Sequence, residues 1–346
     1  MKTRKILALL LSALMLLSLA AMTGCGKGGD SYQLPIVCGE TSMNDVCGVA
    51  TYGVNYYNLG VKAGDMAADI LLNGASPATT PVATDPSPAL SVNDKVAGEL
   101  NFTVPEALKA KAGGDSTVSV TRNDAALVSD GADFTVGILQ LVQHIALDSA
   151  NKGFVDELSV RMAEAGKTVT ILDENAANDQ SNCSTIATTF VGKNVDLIYT
   201  IATAASQAAA SATETIPVLF NAVTDPVSAG LVASMDAPGK NVTGVSDINP
   251  VADQIDLIAE LLGKTELNIG LLYTAGESNS VFQIELARKE CEAKGFKFTE
   301  KGLGDINDLE AAFVALKAAG VDAIYIPTDN TLANGAASIH SLNMGE

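Results

Sequence analysis

The sequence predicts an α/β protein of two Rossmann-like lobes with parallel sheets and a hinge, its segments running in circularly permuted order. Three observations predict it. From Phe134 onward, short β-branched runs alternate with capped helical segments, the pattern of βα units. Part of that pattern recurs: Val195-Asp-Leu-Ile-Tyr199 matches Val321-Asp-Ala-Ile-Tyr325, and Thr135-Val-Gly-Ile-Leu139 matches Asn268-Ile-Gly-Leu-Leu272. In the first copy a strand at Ile216-Pro-Val-Leu-Phe220 follows, whereas the second copy reaches Glu346 where that strand is due, and a matching Leu34-Pro-Ile-Val-Cys38 stands near the amino end.

The chain opens with Lys2, Arg4 and Lys5, then an apolar run from Ile6 to Met22 interrupted by two serines, then Thr23-Gly24-Cys25. This reads as a secretion signal over residues 1–24, with small residues before Cys25 fitting cleavage and lipidation there. It places the remainder outside the cytoplasm, anchored to the membrane by lipid on Cys25. Residues 25–33 form a tether. Gly24 to Gly29 has neither the preceding strand nor the spacing of a phosphate loop.

Residues 34–75 are expected to complete the second lobe, residues 76–112 to cross between lobes and supply a terminal helix, and residues 113–132 to be a linker rich in Gly, Ser, Asp and Asn. Residues 133–245 then form the first lobe and 246–346 the rest of the second. Strands are expected at Phe134–Leu139, Thr168–Leu172, Val195–Ile201, Ile216–Phe220, Leu267–Tyr273 and Val321–Ile326, apolar enough to be covered on both faces. Between them, Asp148 is placed to cap a helix whose Phe154, Leu158 and Met162 form one stripe, ending at Gly166. Asn249-Pro250 opens another that ends at Gly263, and Asn307 with Glu310 opens a third that ends at Gly320.

Composition narrows the function. Forty acidic against 21 basic residues give a net charge of −19, which removing residues 1–24 only deepens. Nucleic acid, anionic membrane surfaces and polyanionic ligands are therefore disfavoured. Cys38, Cys47, Cys183 and Cys291 are too few for a disulfide framework and are read as buried thiols, with a Cys38–Cys47 bridge left open. With no CxxC pair and only His144 and His340, neither metal nor cofactor is expected.

Six stretches together carry a resemblance: Thr135 to His144 (TVGILQLVQH), Ile201-Ala-Thr203, Phe220 to Pro226 (FNAVTDP), Asn241 to Asp247 (NVTGVSD), Tyr325 to Asn330 (YIPTDN) and Ala50 to Tyr56 (ATYGVNY). Put back in unpermuted order, the chain resembles the substrate-binding lipoproteins of a bacterial ABC-importer family that includes tryptophan- and tyrosine-uptake types. The resemblance implies a type I periplasmic-binding-protein fold and delivery of a small ligand to an ABC permease and its ATPase. Two departures are the permuted order and Gln143, where an acidic residue commonly precedes the histidine.

In open α/β sheets ligands bind beyond the carboxyl ends of the strands. That rule selects Gln140, His144, Thr203, Thr224 and Asp225 in the first lobe, Ser278, Asn279, Thr328, Asp329, Asn330 and Glu40 in the second, and Ser246 with Asp247 at the crossing. Hydroxyls and helix N–H groups suit a carboxylate, and Asp225, Asp247, Asp329 and Glu40 compete for an ammonium group. Asp225-Pro226 can equally be a turn, and Asp329-Asn330 equally a helix cap. No Arg or Lys stands among them, which favours a zwitterion or an apolar solute, expected to be an aromatic or branched-chain amino acid. Tyr52 and Tyr56 either flank such a ligand or pack. No nucleophile elbow accompanies His144, so no catalysis is expected, the rivals being a sensor module, a hydrolase or a rearranged inactive relative.

Overall fold

The computed structural model describes residues 31–85, 88–113 and 117–346, so the expected signal, Cys25 and most of the tether lie outside the described residues. The chain begins with β1 (Ile36–Cys38), α1 (Thr41–Cys47), β2 (Ala50–Gly53), α2 (Tyr56–Asn73), β3 (Ala83–Thr84), β4 (Ala89–Val92), α3 (Asp94–Glu99) and α4 (Glu106–Lys109). Next come β5 (Phe134–Gln140), α5 (Ile145–Glu164), β6 (Val169–Asn175), α6 (Gln180–Gly192), β7 (Leu197–Ile201), α7 (Thr203–Ala212), β8 (Val218–Asn221) and β9 (Val242–Ser246). The last third holds α8 (Val251–Leu262), β10 (Asn268–Thr274), α9 (Ser278–Lys294), β11 (Lys297–Leu303), α10 (Leu309–Ala318), β12 (Ala323–Ile326), α11 (Asn330–Asn334) and α12 (Ala336–Met344).

These elements build two six-stranded sheets. The first-lobe sheet runs β3-β9-β8-β7-β5-β6 and is parallel throughout; the second runs β11-β10-β12-β1-β2-β4 and is parallel except for the antiparallel edge pair β2–β4. Matching the two orders pairs β5 with β10, β7 with β12 and β8 with β1. The amino-terminal strand therefore fills the slot expected from the repeat: Ile36, Val37 and Cys38 lie beside Ile324, Tyr325 and Ile326 in parallel register.

The repeated Val-Asp-x-Ile-Tyr has a physical basis in both lobes. Asp196 accepts the Thr135 N–H at 2.7 Å and Asp322 accepts the Asn268 N–H at 2.8 Å, each carboxylate satisfying the start of the neighbouring strand. The tyrosines are fully buried, so each hydroxyl needs a partner. Asn221 donates to the Tyr199 hydroxyl at 2.8 Å, and Tyr325 donates to Gln254 at 2.8 Å.

Several boundaries move. Helix α5 starts at Ile145 with His144 at the capping position, and Asp148 sits in its first turn. Pro250 occupies the cap of α8, while the Asn249 side chain accepts the Val54 N–H. The capping box expected at Asn307 is formed by Asp305 and Asp308 around a short 3-10 turn that precedes α10. Gly263 does end α8 in the left-handed conformation, at φ 60°.

One assignment is corrected. Residues 34–75 do not all belong to the second lobe, because α2 packs along α5 of the first. Glycines permit this contact: a Cβ on Gly60 would lie 2.2 Å from the Ala150 carbonyl oxygen, and one on Gly153 would lie 2.2 Å from that of Tyr57. Nor are residues 76–112 merely a crossing. Residues 83–84 join the first-lobe sheet, whereas β4, α3 and α4 pack into the second-lobe core through Leu90, Val96, Leu100 and Leu108. The chain thus passes between lobes near 54–55 and 247–250, and again between β3 and β4. Within 117–132 the segment is docked rather than loose: Ala126 is buried in the first-lobe core, and the Val128 N–H donates to Val169.

Candidate functional site

The carboxyl ends of both parallel sheets point at the same cleft, where side chains draw together around a small, nearly filled cavity. From the first-lobe side come His144 after β5, Leu147 on α5, Ala222 and Thr224 after β8, and Tyr56 at the start of α2. From the second come Glu40 after β1, Asn279 on α9, Thr328 and Asp329 after β12, and Asn330 with Ala333 on α11. Asp247 lies at the crossing after β9.

Three buried carboxylates define its electrostatics. Glu40 caps α1, accepting from the Ser42 N–H and the Met43 N–H at 2.7 Å each and from the Ser42 hydroxyl at 2.6 Å. Burial nonetheless pushes its carboxyl up to about 7. Asp329 caps α11, accepting the Leu332 N–H at 2.9 Å, the Thr274 N–H at 2.6 Å and the Thr274 hydroxyl at 2.9 Å. Burial, helped by the neighbouring charge of Glu277, raises it to about 7. Asp247 accepts from the Tyr56 hydroxyl at 2.7 Å and from that of Thr224 at 3.1 Å, and burial raises it as well. No Lys or Arg lines the cavity. A cationic group entering it would restore the ionised carboxylates and gain their charge in a poorly solvated place.

The lobes meet at His144. Its Nε2 lies 3.4 Å from the Asn330 Oδ1, and the Asn330 amide is oriented by donating its Nδ2 and backbone N–H to Glu277 at 2.8 and 2.9 Å. Burial depresses the His144 pKa, so the ring is neutral; with Nε2–H donating to Asn330, Nδ1 is left as a buried acceptor with no partner. A second bridge, Asn178 to the Thr331 hydroxyl at 3.2 Å, lies nearer solvent.

Of the residues expected at the site, the structure brings together Glu40, His144, Thr224, Asp247, Asn279, Thr328, Asp329 and Asn330. Five take other positions, among them Ser278, which begins α9 outside the cavity lining. Gln140 stands behind the wall, donating to the Val142 carbonyl and to Asp148, where it braces the loop carrying His144. Asp225 holds a turn by accepting from the Val227 and Ser228 N–H groups. Ser246 donates to the Thr224 carbonyl. Thr203 begins α7 outside the cavity lining, its buried hydroxyl without a partner, directly after Ala202 at φ 86° and ψ 157°, a conformation that side-chain-bearing residues rarely adopt. Glu277, which orients Asn330 and Thr331, was not anticipated; it stands at the cap of α9, far from Asn330 in sequence, and carried no local signal.

The profile of the ABC transporter substrate binding protein family matches residues 19–115 and 135–345, most of the chain. This chain belongs to that family. A tyrosine-binding protein of Clostridioides difficile (strain R20291) is 38% identical to this substrate-binding protein over 197 residues. That match covers 57% of the chain and 56% of the relative, so the chain spans little more than half the length of the curated relative it matches. A crystal structure of an ABC domain in complex with L-Trp from Streptococcus pneumonia is 37% identical, over 61% of this chain and 71% of that one, with a TM-score of 0.55. A conserved domain protein of Vibrio cholerae is 36% identical over the same shares, also at a TM-score of 0.55. The two type I periplasmic-binding-protein lobes inferred from the repeat accord with these neighbours. Among the described residues, no helix is long and apolar enough to cross a membrane.

Proposed function

We propose that this substrate-binding protein captures a free amino acid with an aromatic or branched side chain between its lobes and presents it to an ABC permease and its ATPase. One observation carries the reading: a cavity shared by both lobes is lined by three buried carboxylates and no Lys or Arg, an arrangement that suits an α-ammonium group. Leu147, Ala222, Ala333 and the ring of Tyr56 offer apolar surface beside it. The relatives that bind tyrosine and L-Trp support an aromatic ligand. A ligand that touches both lobes favours the closed arrangement by its differential affinity alone.

No chemical step is assigned. His144 faces an asparagine amide and not a serine or cysteine nucleophile, which favours binding over hydrolysis. Lipid attachment at Cys25 forms part of the same proposal, placing the anchor beside the second lobe, where Ser31 and Tyr32 pack against α10 and α12. The permuted order also belongs here; the seating of β1 between β12 and β2 supports it. A thermal-shift screen against the twenty amino acids tests the function. Stabilisation by tyrosine, tryptophan or a branched-chain amino acid is expected, and no response to any of them would reject the ligand class.

A further inference from the structure

Beneath the cleft, Cys38 ends β1 and Cys47 ends α1, and each is almost wholly buried, at 0% and 1% exposure. Both side chains belong to one buried hydrophobic cluster, and the Cys47 thiol donates to the Met43 carbonyl at 3.5 Å. The Cys38 sulfur lies against the backbone of the residue after Cys47, only 2.7 Å from where a Cβ on Gly48 would stand, so glycine at that position leaves room for the pair. Cys183 and Cys291 lie on α6 and α9, away from this pair and in different hydrophobic clusters from it. Proteins working outside the cytoplasm meet disulfide oxidants rather than a reducing thiol pool.

We propose that Cys38 and Cys47 are a modification site, converted to an intramolecular disulfide by a protein or low-molecular-weight disulfide. One cysteine thiolate attacks the oxidant's S–S bond, releasing one thiol and forming a mixed disulfide. The second thiolate then attacks the protein sulfur of that bond, closing Cys38–Cys47 and releasing the second thiol. The cysteines lose two electrons and two protons, and one oxidant disulfide becomes two thiols. Burial pushes the Cys38 thiol up, so the folded pair reacts slowly, and closure belongs to folding or to a transient opening of α1. Once made, the bond ties the end of α1 to β1 and fixes the helix whose amino end Glu40 caps in the cavity.

The test uses the full chain, refolded through a buffer of reduced and oxidised glutathione, alkylated without reduction and mapped by mass spectrometry. A cross-linked peptide joining Cys38 to Cys47, with Cys183 and Cys291 alkylated, is expected. Alkylation of both Cys38 and Cys47, a persistent glutathione adduct on either, or a bridge to Cys183 or Cys291 would overturn the proposal. A second measurement separates locking from mere formation: the Tm of the oxidised protein falls when reductant is added, and that of Cys47→Ala does not. An unchanged Tm in the unsubstituted protein would reject the lock.

Discussion

Glu40 and Asp329 each perform two tasks that conflict. As caps they satisfy the first N–H groups of α1 and α11, and as cavity walls they sit where an ionised carboxylate is poorly solvated. The conflict has a sign. Both folded-state pKa values lie above the unfolded ones, from 4.5 to about 7 and from 3.8 to about 7, so the folded protein holds more protons between those limits. Stability without ligand is then complete below about pH 4 and falls as pH rises through 7, by on the order of 3 kcal/mol for Glu40 alone. The Tm measured by calorimetry should decline from pH 5 to pH 7.5, and Glu40→Gln should flatten that decline. Amino-acid affinity should run the opposite way, since the ammonium group prefers ionised carboxylates; titrations at pH 5.5 and 7.5 would read a lower Kd at the higher pH. Truncating the cross-cleft contact, Asn330→Ala, should raise Kd about tenfold to a hundredfold while leaving the outer bridge at Asn178 a minor contributor.

At the scale of elements, the contact between α2 and α5 is the least forgiving. Gly60→Val places side-chain carbon into the Ala150 carbonyl, and Gly153→Val meets that of Tyr57, so each should cost about 1–3 kcal/mol or more and lower the denaturation midpoint. A Gly263→Ala control, where a Cβ meets open space but φ is positive, should cost less. The same helix shows which parts of the fold were legible in sequence. Inner strands such as β5, β7 and β10 were readable because both faces are covered and their residues are continuously apolar. β11 (Lys-Phe-Thr-Glu-Lys-Gly-Leu) was not, because an edge strand keeps a solvated face and its charges hide the pattern. α2 was recognisable as a segment, yet its lobe depended on Gly60 and Gly64 meeting α5, a tertiary fact visible in sequence only as two glycines four apart. For the site, the strand-end rule found the cavity walls at Thr224, Asp247 and Thr328–Asn330, but it could not distinguish residues facing the cavity from Asp225, one residue on, which turns away to hold a loop.

Across the whole molecule, the second lobe is assembled from both halves of the chain around β1. Its register against β12 and the closeness of Tyr32 and Leu34 to Asn343 make a specific reconnection feasible: the Tyr32 N–H donates to the Asn343 carbonyl at 3.1 Å, and the Leu34 N–H to its side chain at 3.0 Å. A chain rewritten to begin near residue 117, run through 346 and continue by a short linker into 31–113 should fold to the same Tm within a few degrees and bind the same ligand; an aggregated or ligand-blind product would count against the permuted order. Binding itself couples the lobes, since His144 and Asn330 reach one another only across the cleft. Ligand at a hundred times its Kd should therefore stabilise the fold by about 2.7 kcal/mol. The most direct measurement is calorimetric titration of the purified protein at pH 7.5 with L-tyrosine, L-tryptophan and L-leucine, each beside its analogue lacking the amino group. At least one amino acid should bind at micromolar Kd or tighter with its deaminated partner at least a hundredfold weaker; equal affinity for the two, or none for any of the three amino acids, would contradict a cavity built around an ammonium group.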